Sequence, residues 1–321
     1  MTILVTGAGG FVGRATVAAL TTAGCRVIAG YRRPPPAGLR VDVLDGGSLA
    51  AAMLDVETVV HCAVGDPRDT SVIVEGTRNA LTAARAGGVT RFVQLSSVAV
   101  YGAQTGRIDE SASTERPGGA YGAAKVAAER FCRDAAGDMA VAILRPSLIY
   151  GPRSAQWTVP YLDRLKSGRW PRLGVAGEGY ANLVHVDDLA GFIVHVATAS
   201  QPIAGVFNVN GADVPTWNAY LEALRVAIDA PEPAGGALPG NATIAARKGA
   251  KASVALFGKA GVGSAALDRF VALTPSGDEV ARFGASVVYA IDRMEAAGFH
   301  PRIGLAEGVA GIAAWDRAGR P

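Results

Sequence analysis

Thr6-Gly7-Ala8-Gly9-Gly10-Phe11-Val12-Gly13 lies between a short apolar run, Ile3-Leu4-Val5, and a helical pattern from Phe11 to Ala23. A glycine turn that leaves a first strand and opens a first helix narrows the choice of fold sharply. Gly7 permits the tight turn, Gly10 lets the backbone approach a pyrophosphate, and Gly13 lets the helix lie close on the sheet. The helix start supplies N–H groups without intrahelical partners and the positive end of the helix dipole. A glycine motif alone is weak; its place in the first strand–helix unit is the context it requires. Gly7, Gly10, Phe11, Val12 and Gly13 are the expected contacts to a dinucleotide phosphate.

The rest of the first half alternates in the same way. Strands are expected at Arg26–Gly30, Val41–Val43, Thr58–Cys62, Arg91–Ser96 and Ala140–Arg145, with helices at Ser71–Ala86 and Tyr121–Ala136. The strands are short and nearly continuous in Val, Ile and Leu, as in a parallel sheet covered on both faces. The expected class is therefore α/β, a doubly wound parallel sheet of the Rossmann kind, with ligand beyond the carboxyl ends of its strands. After Tyr150-Gly151-Pro152 the alternation fades and Pro, Gly and Trp become frequent. Leu183–Val186 and Val206–Val209 read as further strands. The expected division is 1–150 with 182–210 for the dinucleotide domain, and 151–181 with 211–321 for a smaller substrate lobe. Pro231–Pro239 reads as a loop, and Arg247, Lys248 and Lys251 as a solvated basic face.

The end of the second strand bears on the cofactor. An acid there bonds the ribose 2′-hydroxyl of NAD. The chain instead has Gly30-Tyr31-Arg32-Arg33. Arg32 and Arg33 suit a 2′-phosphate through charge-assisted bonds, so NADP is expected ahead of NAD.

Tyr121-Gly122-Ala123-Ala124-Lys125 sets Tyr and Lys one turn apart on one helix face. A phenol near pKa 10 is a poor base, but a neighbouring ammonium and a positive nicotinamide both favour the phenolate. Lowering that pKa by about 3 units takes roughly 4 kcal/mol, within reach of two close charges. Such a tyrosine takes a proton from a carbinol or returns one to a carbonyl. Phe92-Val93-Gln94-Leu95-Ser96-Ser97 ends a strand at the edge where ligand is expected, and Ser97 can hold the substrate oxygen near Tyr121.

These segments resemble the extended short-chain dehydrogenase/reductase family, also called the NAD-dependent epimerase/dehydratase family. Besides the glycine loop and Tyr121–Lys125, the matching segments are Asp42-Val43, His61-Cys62-Ala63, Leu95–Gly102, Leu144–Pro152, Val184–Asp188 and Ala297–Pro301. The resemblance implies that Ser97, Tyr121 and Lys125 are catalytic, with Lys125 also on the nicotinamide ribose. It implies that Asp42 and Val43 meet the adenine, that Cys62, Ala63, Val64 and Ser96 line the cofactor, and that Pro146 and Ser147 border the nicotinamide amide. It further implies a homodimer through the Ser71–Ala86 and Tyr121–Ala136 helices, where Val126, Ala127 and Phe131 serve core or interface.

Some positions depart from the family pattern. Val98 and Ala99 stand where its dehydratases carry acids, which disfavours water elimination. Ser147, Leu148 and Ile149 lack the Asn that nucleotide-sugar epimerases often place there, Ala181 stands where an Arg is frequent, and Ile73 replaces a frequent Asn. Hydride transfer at a secondary alcohol or ketone of a sugar-like or other small molecule is therefore expected. An epimerase with tightly bound NAD(P) is the alternative, and a non-catalytic NADP-binding sensor a third reading.

Composition is compatible with this. Half of the 321 residues are hydrophobic and 18% are charged, with a formal charge of +3. That suits a buried core and gives no reason to expect nucleic acid as partner. No run reaches the roughly 20 apolar residues of a membrane span; the Ala252–Leu267 stretch comes nearest. Cys25, Cys62 and Cys132 are scattered, which suggests buried thiols and a reducing cytoplasm rather than metal or disulfides. In His185-Val186-Asp187-Asp188 a carboxylate is expected to cap a helix rather than bind metal.

Overall fold

Ile3, Leu4 and Val5 are fully buried at the centre of strand β1 (Thr2–Thr6), and helix α1 (Phe11–Thr22) follows the glycine loop. The computed structural model describes residues 1–35, 38–66, 69–137, 139–233, 238, 240–259 and 264–321. The chain continues with β2 (Arg26–Tyr31), β3 (Leu39–Arg40), α2 (Gly46–Ala52), β4 (Thr58–His61), α3 (Ser71–Ala86), β5 (Arg91–Leu95), β6 (Gly106–Ile108), α4 (Gly119–Ala135), β7 (Ala140–Pro146) and β8 (Leu148–Tyr150). Then come α5 (Val159–Lys166), β9 (Leu183–His185), α6 (Val186–Thr198), β10 (Gly205–Val209), α7 (Trp217–Ala227), α8 (Asn241–Lys259), α9 (Ala265–Leu273), α10 (Gly277–Phe283), β11 (Val287–Tyr289), α11 (Asp292–Ala296) and α12 (Leu305–Arg317).

Seven strands form one sheet in the order β10-β7-β5-β4-β1-β2-β3, with the paired strands parallel. The doubly wound class read from the sequence is the observed one. Alternate residues of each strand enter opposite cores. Leu4, Val59, Phe92 and Val141 meet Leu49, Leu81, Ala84 and Cys132 on one face. Ile3, Val5, Val60 and Leu144 meet Leu20, Leu189, Phe192 and Ile193 on the other. Strand order reverses between β1 and β4, which opens a crevice at their carboxyl ends.

The third strand differs from the expected Val41–Val43. It is Leu39–Arg40, because the Asp42 carboxylate accepts the Leu44 N–H at 3.1 Å and turns the chain. Val41 and Val43 are buried under α2 and α3 instead. β9 stands outside the seven-stranded sheet.

Two compact units result. One comprises Met1–Ile149, Val184–Ala212 and Tyr289–Arg302; the other comprises Tyr150–Leu183, Asp213–Val288 and Ile303–Pro321. The sequence reading places Tyr289–Arg302 in the second lobe. It sits in the first unit because Met294 and Phe299 are part of the core on the α6 face and Ala297 O meets His195 Nε2 at 2.8 Å. The second unit is built on aromatic rings, with Trp217 at 5.0 Å from Phe283 and 5.8 Å from Tyr161. The Pro231–Pro239 loop and the Ala252–Leu267 stretch lie partly outside the described residues. No helix among the described residues is long and apolar enough to cross a membrane.

His61 closes β4 fully buried, and its Nδ1 lies 2.8 Å from Thr6 Oγ1 on the next strand. Burial first, and the Lys125 charge second, lower its pKa to about 3. The imidazole stays neutral in the folded chain while the unfolded chain protonates it near pH 6.5. Stability is therefore complete above pH 6.5 and is lost as pH falls towards 3. Between pH 6.5 and 4 the wild type is expected to lose about 3 kcal/mol more than His61→Asn. Urea unfolding of both proteins at the two pH values checks this, and equal losses would refute it.

Candidate active site

The glycine loop is held from beneath by backbone. Gly7 has φ +67°, and a Cβ there would lie 2.8 Å from Ala63 N, so the loop rests on the chain leaving β4. Gly10 N donates to Gly7 O at 2.9 Å. A Cβ on Gly13 would stand 2.2 Å from Gly7 O, so α1 seats on the turn only because that residue has no side chain. Gly10 is the N-cap of α1, and no side chain bonds the first N–H groups of the helix. Those groups face the crevice with the helix dipole behind them, a seat for a pyrophosphate.

The proton-transfer residues assemble across the same edge. Ser97 caps a tight turn at Val98–Tyr101, its Oγ accepting the Ala99 N–H at 3.1 Å. α4 lies directly against that turn. Gly118 N donates to Ala99 O at 2.8 Å, and a Cβ on Gly122 would be 2.5 Å from the same oxygen. Gly122 thus brings α4 against the turn, so that the Tyr121 side chain lies beside Ser97. Lys125, one turn on, is buried; its Nζ donates to Leu95 O at 2.6 Å and lies 5.7 Å from the Tyr121 ring centroid.

The electrostatics differ from expectation. Burial holds the Tyr121 phenol above its ordinary value, and the Ser97 hydrogen bond only partly offsets this. Burial lowers Lys125 to about 8. The ammonium does not bring Tyr121 down because it is directed at a carbonyl and sits beside the ring rather than at the hydroxyl. The phenol is therefore protonated at neutral pH, the form that donates to a carbonyl.

The NAD dependent epimerase/dehydratase family model matches residues 3–210. The chain belongs to that family. It is 31% identical over 188 residues to N-acetyl-alpha-D-glucosaminyl-diphospho-ditrans,octacis-undecaprenol 4-epimerase of Escherichia coli O157:H7, a match spanning 55% of this chain and 56% of that protein. It is 30% identical over 261 residues to 2-alkyl-3-oxoalkanoate reductase of Stenotrophomonas maltophilia, spanning 72% of this chain and 77% of the relative. Among solved structures it is similar to MoeE5 in complex with UDP-glucose and NAD, with TM-score 0.72, 25% identity and 99% of each chain covered. The first of these relatives is thus matched over little more than half its length.

In this family member the remaining expected contacts are placed as follows. Arg32 and Arg33 are exposed just beyond β2. Asp42 is half-buried near Arg40, at 3.6 Å. Cys62 and Ala63 are half-buried after β4, and Val64 is exposed. Pro146 is buried at the end of β7, and the Ser147 Oγ lies 2.7 Å from Asn210 Oδ1. The Ser96 hydroxyl is buried and donates to Glu129 at 2.6 Å. The cap of α6 is His185, whose Nδ1 accepts from Asp187 N, while Asp188 accepts from Arg302 N at 3.0 Å. The expected carboxylate cap is therefore replaced by an imidazole. Val126 is buried, and Phe131 packs on the core between sheet and helices. Sequence reasoning missed Gly122 and Glu129. Glu129 follows Lys125 by one helical turn, and that spacing was its visible signal.

Proposed function

We propose that this chain is a reductase that uses NADP(H) to interconvert a ketone and a secondary alcohol. The observation that supports this most is the close approach of α4 to the Ser97 turn, which sets Tyr121 beside Ser97 and buried Lys125 on the sheet edge that also carries the glycine loop. The loop fits a dinucleotide, because Gly7 and Gly13 let its backbone fold tightly onto Ala63 and α1, leaving the first N–H groups of α1 with no side-chain cap. Bound there, the dinucleotide supplies or accepts the hydride. Ser97 holds the substrate oxygen, and neutral Tyr121 delivers the proton from Oη as negative charge grows on that oxygen. Lys125, anchored by the Leu95 carbonyl one helical turn beyond Tyr121, would bond the nicotinamide ribose and so place the dinucleotide against the phenol.

Two features favour net reduction over sugar-nucleotide epimerisation: Ser147, Leu148 and Ile149 include no Asn, and fully buried Ala181 offers no charge for a diphosphate. The 2-alkyl-3-oxoalkanoate reductase is matched over 72% of the chain; the epimerase reading rests on the undecaprenol-linked 4-epimerase, matched over 55%, and on a UDP-glucose 4-epimerase of Vibrio cholerae, matched over 71%. Absorbance at 340 nm with NADPH and either a 2-alkyl-3-oxo acid or UDP-glucose separates them. Steady loss of NADPH with the oxo acid supports reduction; inversion of the sugar without loss of NADPH supports epimerisation.

Cofactor choice follows from Arg32 and Arg33, exposed where an NAD-selecting acid would stand. NADPH is expected to exceed NADH at least about tenfold in kcat/KM, as the loss of one or two charge-assisted hydrogen bonds implies. Arg32→Ala/Arg33→Ala should remove most of that preference. A wild-type preference for NADH defeats the assignment. A homodimer pairing through α3 and α4 completes this reading, and sedimentation as a monomer at micromolar concentration would count against it.

A further inference from the structure

Six polar side chains behind the site form one network, buried except for the half-exposed Arg133. Glu129 Oε1 accepts from Ser96 Oγ at 2.6 Å and Arg145 Nε at 2.9 Å; its Oε2 accepts from Arg145 Nη2 at 2.6 Å and Arg133 Nη2 at 2.7 Å. Arg145 Nη1 donates to Tyr101 Oη at 2.7 Å, and Tyr101 donates to Asn208 Oδ1 at 2.7 Å. Glu129 is 1% exposed, Arg145 2% and Asn208 0%. A buried ion pair is a weak source of stability, because desolvating both charges offsets their attraction. Its geometry is the more informative property. Glu129 lies four residues beyond Lys125 and eight beyond Tyr121, on one face of α4. Ser96 immediately precedes Ser97. One carboxylate thus ties down both sides of the Ser97–Tyr121 pair, the serine through β5 and the tyrosine through α4, while Arg145 fixes that carboxylate to β7.

We propose that Glu129, oriented by Arg145, is a positioning residue that sets the Ser97–Tyr121 distance without touching substrate or cofactor. Its catalytic consequence rests on Tyr121 being the proton donor. A misplacement of about 1 Å at such a pair costs on the order of a hundredfold in rate.

The test uses protein labelled with 13Cζ-tyrosine, the Tyr121 resonance being assigned with Tyr121→Phe. Ser97→Ala defines the resonance of Tyr121 without its partner. Ser96→Ala, a small change that leaves the Glu129–Arg145 pair intact, is expected to move the resonance towards that position. It should also lower kcat at least about tenfold with NADPH and a 2-alkyl-3-oxo acid, with the dinucleotide KM within about twofold. Glu129→Gln should do both more strongly where it folds. An unmoved Tyr121 resonance or an unchanged kcat in Ser96→Ala overturns the proposal. If the resonance moves while Tyr121→Phe keeps full turnover, the acid–base reading fails and the geometric role of Glu129 stands.

Discussion

Tyr121→Phe is expected to lower kcat by about 10²- to 10⁴-fold while leaving dinucleotide affinity within about twofold. Phenylalanine keeps the ring, which packs with Ile73, Ala124 and Ala128, and removes only the hydroxyl beside Ser97. The fold should therefore survive, and the missing proton should account for the loss. The phenol is held protonated by burial, so the loss is expected to be greatest in the direction of ketone reduction. Stopped-flow or steady-state rates, together with NADPH fluorescence titration, separate the two quantities. A variant that keeps its rate would place the proton transfer elsewhere.

The second large effect is expected at Gly13→Ala. The added Cβ meets Gly7 O at 2.2 Å and Ala8 Cα at 2.9 Å, both backbone atoms that cannot swing aside. Overpacking of this kind costs about 1–3 kcal/mol, and relief requires α1 to lift from the loop. Lifting α1 moves the helix N-terminus away from the phosphate it is proposed to hold. Dinucleotide affinity should fall about a hundredfold, whereas unfolding should shift by a few degrees. Calorimetric titration with NADPH and a thermal melt give both numbers. Wild-type affinity in a folded Gly13→Ala would show that the loop does not carry the phosphates.

The glycine loop and the alternating elements of the first half were legible because local rules govern them. Val, Ile and Leu runs make buried strands, and a glycine marks each close approach. Val41–Val43 misled because apolar residues at a sheet edge look like a strand, whereas the Asp42 side chain ends the ladder at Arg40. The Ser97, Tyr121 and Lys125 positions were visible as a pattern, but their electrostatics were not. Sequence shows that an ammonium is one turn from a phenol; only the fold shows that Leu95 O captures it. Strand alternation turns the Ser96 hydroxyl to the opposite side from Ser97, against Glu129, a partner 33 residues away that the sequence around Ser96 does not announce. The Glu129–Arg145–Tyr101–Asn208 network joins residues up to 107 apart, and no local rule reports such pairings. The aromatic core of the second unit is likewise a matter of tertiary packing, which explains why the sequence after Tyr150 offered little pattern.

The central claim is that Tyr121 and Lys125 serve a hydride transfer at the mouth of the glycine loop. Isotope transfer tests it most directly. The protein is incubated with NADPH carrying deuterium at both C4 positions and a 2-alkyl-3-oxo acid, and the product is examined by mass spectrometry. One deuterium is expected on the new carbinol carbon. Conversion of the acid with all deuterium retained on the nicotinamide contradicts it.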